Sequence, residues 1–442
     1  MTPVSPLPLR NEHPPSRVRA RRLLCRLPLA LYAGIWAVAL AAGGIASPAQ
    51  DEALVAKGRY LAALGNCASC HTRKGGPPFG GGVAFPIAVD WSREPLGTLY
   101  SSNISPDPET GIGDWTLADF SLAMREGVSR SGKHLYPVFP YTAFAGLSPE
   151  DMAAIFAYVR SLEPVRSTPP RNDLPFFIDW RGGLAVWKWL YADRGVHRPD
   201  GTRSAEWNRG AYLVRALGHC GACHSPRNLL LAEITERALS GGIHFHPVSP
   251  DKQRLWAAVN LTPAATGLGA WSTDDIASYL KTGHAPKAGR FGPMDSVIAG
   301  GTRHLTEYDA LAVAEYLKSL PPVEHIAEVA PDPGQRERGA ATYAEHCEDC
   351  HMASGRGNLF KAPPLAGSAV VQAPSPFSLI NIVLYGATVP DDVPAPYRLW
   401  EDMVPYRDKL SDAEIAALGN YLRSAWGNRG GSVTEEDVAR QR

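Results

Sequence analysis

The chain lacks any excess of charge: 44 acidic residues balance 44 basic ones over 442 positions. A nucleic-acid binder would show a basic surplus or a basic stripe over its folded part, and neither is visible. There is no phosphate-binding glycine loop, no nucleophile–base constellation and no βαβ alternation. Methionine is scarce at six residues, and cysteine at seven. At this length one core is not enough, and ordinary domain sizes predict about three.

The N-terminus breaks the charge balance. Arg10, Arg17, Arg19, Arg21, Arg22 and Arg26 precede an uncharged run, LPLALYAGIWAVALAAGGIASPAQ, from Leu27 to Gln50. Its apolar part, Leu27 to Ala46, spans about 30 Å as a helix, enough for one bilayer crossing. Arginines on one side predict a cytoplasmic N-terminus and an exported remainder. Ser47-Pro48-Ala49 also suits cleavage after Ala49. Residues 1–50 are therefore a signal peptide or a membrane anchor.

Cys25 lies at the foot of that segment; the other six cysteines form three pairs, GNCASCH (65–71), GHCGACH (218–224) and EHCEDCH (345–351). The surroundings repeat too. A glycine-opened apolar segment precedes each motif, KGRYLAALGN, NRGAYLVRALGH and RGAATYAEH. Each repeat closes with a helix in which Leu147 and Tyr158, Leu305 and Tyr316, Leu410 and Tyr421 are equally spaced. Ser148, Thr306 and Ser411 read as N-caps, with Asp151, Asp309 and Glu414 placed to close capping boxes. The first two copies share a middle section, NISPDPETGIGDWTLADF and NLTPAATGLGAWSTDDI, which the third lacks. The fold class expected is mostly α, with three tandem units at 51–165, 201–323 and 324–430. A linker with an aromatic stretch covers 166–200 and a polar tail 431–442.

Two thiols separated by two residues can form thioethers with the two vinyl groups of a haem, and the adjacent histidine then meets the iron. Zinc would require a second Cys or His pair in each unit, and a thioredoxin-like pair would not explain the following histidine. The motifs thus assign covalent haem c to Cys67 and Cys70, to Cys220 and Cys223, and to Cys347 and Cys350. His71, His224 and His351 are the axial ligands. A second axial ligand is often a methionine. Met294 in GRFGPMDSV and Met403 in LWEDMVPYRDKL each precede the terminal helix, beside a proline in stretches that read as non-helical loops.

In the first copy that place is taken by HLYPVFPY (134–141), where prolines exclude regular helix and Phe139 stands where a ligand is expected. His134 is a candidate sixth ligand there; Met124 and Met152 read as core, and an open iron is the remaining alternative. Each motif histidine should donate its other N–H to a fixed acceptor, for which the Pro363-Pro364-Leu365 turn is a candidate. Asn103, Asn260, Arg73, Arg227 and Arg356 could face haem propionates or serve only structure and solvation.

With GNCASCH, NISPDPETGIGDW, KHLYPVFPY, SAEWNRGAYLVRALGHCGACHSPRN, FGPM and MVPYRDKLSDAEIAALGNYLRSAWGN in view, the chain resembles the triple-haem cytochrome c subunits of membrane-bound bacterial dehydrogenases. That family serves alcohol, gluconate, sorbitol and fructose dehydrogenases, with similar chains beside molybdenum hydroxylases. The resemblance implies an electron-transfer subunit, not an enzyme. It would receive electrons from a quinoprotein, flavoprotein or molybdenum catalytic subunit and pass them to ubiquinone or an oxidase at the periplasmic membrane face. The departure is Phe139, where the alcohol dehydrogenase-type pattern YPAMPY has methionine. A peroxidase-like enzyme using an open first iron, or a soluble periplasmic shuttle, are the rival readings.

Overall fold

One helix crossing, made three times, organises the chain. The computed structural model describes residues 48–87, 96–192, 195–249, 252–324, 332–393, 395 and 399–442. The expected export or anchor segment Leu27–Ala46 lies outside them, and among the described residues no helix is long and apolar enough to cross a membrane. The longer helices are α1 (Pro48–Leu64), α2 (Leu117–Glu126), α3 (Pro149–Arg160), α4 (Gly182–Tyr191), α5 (Ala205–Tyr212), α6 (Thr273–Thr282), α7 (Pro293–Gly300), α8 (Glu307–Lys318), α9 (Pro333–His346), α10 (Phe377–Tyr385) and α11 (Asp412–Ser424). Helix therefore dominates.

α1 crosses α3, α5 crosses α8, and α9 crosses α11. The repeated glycines are the points of contact. A Cβ on Gly58 would stand 1.9 Å from Ala154 O, on Gly210 1.9 Å from Ala312 O, and on Gly339 2.0 Å from Ala417 O. In each crossing the neighbouring atom is a tyrosine Cβ at 2.8 Å, from Tyr158, Tyr316 and Tyr421. Only a residue without a side chain lets the two backbones approach so closely. Leu147, Leu305 and Leu410 are all buried at the start of the second helix, which explains their fixed distance from the tyrosines.

The glycine-to-motif spacing differs by one residue between copies, and the structure absorbs it locally. The second copy has one residue more than the first, and Leu213–Leu217 there forms a π-helical turn. In the third copy, one shorter than the first, α9 simply runs to Cys347.

Copies one and two pack through a reciprocal contact. Tyr212 of the second donates to Asp151 Oδ2 of the first at 2.6 Å, and Tyr60 of the first donates to Asp309 Oδ2 of the second at 2.5 Å. The same hydroxyls accept the cap N–H groups of Ser148 and Thr306, each at 3.3 Å. Lys57 then pairs with Asp151, and Arg209 with Asp309. This corrects one expectation: Asp151 and Asp309 do not close capping boxes, because a tyrosine from the other copy occupies the place of the reciprocal bond. Only Ser411 and Glu414 make the full box in this series.

Two antiparallel hairpins flank the first pair of motifs, β1 (Ala84–Ile87) with β2 (Gly97–Tyr100), and β3 (Gly242–Ser249) with β4 (Lys252–Ala258). The third copy docks on β4. Ser378 Oγ accepts Ala257 N and donates to Ala257 O, and Asn381 Nδ2 donates to Leu255 O at 2.8 Å. Residues 431–442, expected as a polar tail, form helix Glu435–Ala439, which buries Val438 in the third core.

Candidate functional site

Each Cys-x-x-Cys-His stretch turns into a short helix, Cys67–His71, Gly221–His224 and Glu348–His351. In all three the histidine Nδ1 meets a backbone carbonyl: His71 to Ser102 O at 2.8 Å, His224 to Val259 O at 2.8 Å, His351 to Pro363 O at 3.0 Å. A carbonyl can only accept, so the proton sits on Nδ1 and the Nε2 lone pair is left for a metal. Burial lowers the pKa of each ring, against the pull of its carbonyl bond, and keeps the imidazole neutral. The expected acceptor in the Pro363 turn is thus in place. Burial also pushes the Cys67 and Cys220 thiols up to about 12 and Cys347 to about 11. Such thiols are not the activated thiolates of a redox pair. Two protonated sulfurs beside one oriented imidazole fit a covalently tethered haem.

The asparagines serve structure. Asn103 Nδ2 donates to Val165 O at 2.7 Å and Asn260 Nδ2 to Val323 O at 2.8 Å, tying the chain after the terminal helix to the middle loop. Each follows directly on the carbonyl that orients the motif histidine, so they hold that carbonyl in register. Arg227 is spent on Leu231 O and Ala222 O, whereas Arg73 and Arg356 are exposed.

Among the methionines, Met124 and Met152 are buried core, as expected. Met403 lies half-buried in an extended stretch bridged to Ala387. Met294 does not sit in a loop: Pro293 opens α7 at its first position, and Met294 follows in the first turn, half-buried. The proline that suggested a loop is instead a helix start. Phe139 packs against Phe144 and Tyr141, with ring centroids 5.7 and 6.4 Å away. His134 pairs with Val128; its carbonyl accepts from Arg181 at 2.6 Å, and its Nδ1 is buried with no partner among the described residues.

The first two motifs face each other. Asn66 and His219, which precede the first cysteine of their motifs, both have left-handed backbone, φ 53° and 39°. His219 Nε2 donates to Gly65 O at 3.3 Å and its ring stands on Phe144. Cys70 is close enough to act electrostatically on Cys223. Reading the motifs one at a time misses this pairing. The available signal was a tyrosine two residues after the glycine in copies one and two, replaced by Ala341 in copy three.

In the linker, α4 is anchored inward by Lys188, whose Nζ reaches Glu126 O and Gly127 O, and by Trp187, which donates to Leu230 O. Phe176, Trp180 and Trp189 stay exposed, at 88%, 66% and 77%.

The cytochrome c family profile matches residues 55–163 and 336–426, and the fold and motifs define these regions as cytochrome c domains. The chain is 36% identical over 426 residues to the cytochrome c subunit of the quinone alcohol dehydrogenase of Gluconobacter oxydans, covering 93% of this chain and 87% of that one. It is 37% identical over 420 residues to the gluconate 2-dehydrogenase cytochrome c subunit of Pantoea cypripedii, covering 90% and 92%. It is also 40% identical over 383 residues to one of the nicotinate dehydrogenase subunits of Pseudomonas putida, covering 84% of this chain and 30% of that one. The chain belongs to the family of cytochrome c subunits of dehydrogenases, and is an electron-transfer subunit with chemistry performed elsewhere in the complex.

Proposed function

We propose that the chain carries three covalent haems and relays electrons from a separate dehydrogenase subunit to ubiquinone or a terminal oxidase at the periplasmic face of the inner membrane. The observation that carries this reading is the threefold one: three motif histidines, each with Nδ1 committed to a carbonyl and Nε2 free to ligate. Cys67 and Cys70, Cys220 and Cys223, and Cys347 and Cys350 hold the porphyrins; His71, His224 and His351 bind the irons. The bound haem supplies one-electron redox chemistry. The protein orients each imidazole, excludes water through the buried crossings, and brings the first two motifs together.

Met294 and Met403 would supply the second protein ligand to the irons held at the second and third motifs; Met294, in a first helical turn, is half-buried rather than locked in a core. Phe139 cannot ligate, so the first centre differs, and His134, with its buried unpartnered nitrogen, is its candidate ligand. The exposed Phe176, Trp180 and Trp189 support contact with a membrane surface, where tryptophan favours the interface. The N-terminal arginine-flanked segment supports export.

The test is the haem count. Expressed in a host that matures c-type cytochromes, the chain should gain the mass of three haems and give a matching pyridine haemochrome. Cys→Ala pairs in one motif at a time should each remove one haem. A product with two haems and an unmodified second motif would end the three-centre reading.

A further inference from the structure

The two hairpins occupy corresponding places, yet one carries an apolar pair and the other a polar one. Ser102 and Val259 both hold the motif histidine, and three residues before them stand Leu99 and Trp256. Their cross-strand partners are Phe85 in β1 and His244 in β3. The third copy has no counterpart hairpin among the described residues.

Both ring nitrogens of His244 and the Nε1 of Trp256 are buried, and none has a hydrogen-bond partner among the described residues. Buried polar nitrogens without partners are costly and rare, and the two N–H donors on this cross-strand pair, one on the His244 ring and one on the Trp256 indole, point to an acceptor that the polypeptide does not supply. The position says where. A Cβ on Gly242, two residues before His244, would meet Cys223 O at 2.4 Å, so the strand starts against the second motif. On the other side the Trp256 ring packs on Phe291, centroids 6.0 Å apart, and against Gly292, two residues before Met294. A neutral His244 ring has one N–H to give, and the Trp256 indole has another.

Resting on the haem assignment above, we propose that His244 and Trp256 donate hydrogen bonds to a propionate carboxylate of the haem at the second motif. The apolar Phe85–Leu99 pair offers the first centre nothing equivalent. Donors to a propionate offset negative charge beside the iron and so favour the reduced state. Of the three centres, the second is then the one whose potential these two residues raise.

The test uses the full haem-loaded chain with His244→Leu, His244→Gln and Trp256→Phe. Haem content comes first: fewer than three haems in the unaltered chain defeats the underlying assignment, whatever the variants do. With three haems present, H244L and W256F should each move one of the three potentials downward in spectroelectrochemical titration and alter the propionate bands in resonance Raman spectra. H244Q, which keeps a donor, should restore most of the shift. Potentials and propionate bands that superimpose on the unaltered chain in both H244L and W256F would overturn the proposal. So would an H244Q shift equal to that of H244L, which would mark a packing effect. Should W256F fail to keep its haems, the H244L–H244Q pair alone decides.

Discussion

The first two copies and the third use one helix crossing and complete it differently. In copies one and two the N-terminus of the closing helix is finished in trans: Ser148 N donates to Tyr212 and Thr306 N to Tyr60, while Asp151 and Asp309 receive the tyrosine protons. In the third, Ser411 and Glu414 finish it alone. A carboxylate placed three residues after the cap can therefore serve its own helix or a neighbour, and a single tyrosine decides which. The first two copies form an interdependent pair; the third closes its own helix cap and packs its core against the β3–β4 hairpin of the second through Leu255, Ile243 and Phe245.

The strongest way to break that contrast is at the crossing glycines. Gly339→Val would force a side chain into a backbone oxygen 2.0 Å away, at the upper end of overpacking costs, about 3 kcal/mol or more. It should cost the third haem and leave the other two. Gly210→Val, equally crowded, should disable both the first and second copies through their shared contact. Haem per chain and urea melting check this; a G339V chain that loses every haem, or a G210V chain that loses one, would erase the distinction.

Next in size is ligation. Met294→Leu and Met403→Leu should each remove one sulfur-to-iron charge-transfer band from the oxidised spectrum and lower one potential, since methionine ligation raises it. Phe139→Met should add such a band and raise the first potential. If M294L leaves the spectrum unchanged, the helical placement of Met294 has taken its sulfur away from the iron.

The sequence was most informative where function demands fixed spacing: the motifs, the glycines, the matched Leu and Tyr, and the core methionines. It misled where one residue type serves two ends. Pro293 can close a loop or open a helix, and nothing in GRFGPMDSV separates these. Asp151 and Asp309 fit capping boxes by position, and only the three-dimensional arrival of Tyr212 and Tyr60 diverts them. The unpartnered nitrogens of His244 and Trp256 were invisible because strand register, not spacing, brings them together.

The tyrosine exchange itself should yield an intermediate effect. Tyr60→Phe and Tyr212→Phe each remove a hydrogen bond to a carboxylate, worth about 1.5–3 kcal/mol. They should weaken copies one and two and spare the third in site-resolved hydrogen exchange. The pH dependence follows from Asp309. Burial by itself would raise its pKa, but the Arg209 guanidinium and the Tyr60 hydroxyl outweigh that and hold it below the ordinary value of 3.8. A depressed carboxylate contributes stability that is complete above its unfolded pKa and disappears as pH falls through the folded one. Unfolding midpoints followed downward from about pH 5 should therefore fall through the acid range in the unaltered chain. Asp309→Asn should be less stable at neutral pH and flatter in acid.

The smallest effect belongs to the self-contained cap. Ser411→Ala removes the hydroxyl that accepts Glu414 N at 3.3 Å and donates to Glu414 Oε2 at 2.7 Å. An N-cap loss of this kind costs about 1 kcal/mol. Ser411 N can still donate to Glu414, so the helix keeps half of its reciprocal closure and the loss should stay within the third copy. Ser148→Ala removes an equivalent hydroxyl, yet there the cap N–H remains with Tyr212, so the disturbance should reach the second copy's α5 as well. Hydrogen exchange at the amides of α5 separates the two cases: protection should fall in S148A and hold in S411A. Equal behaviour in both would mean that the tyrosine bridges carry no coupling between the first two copies.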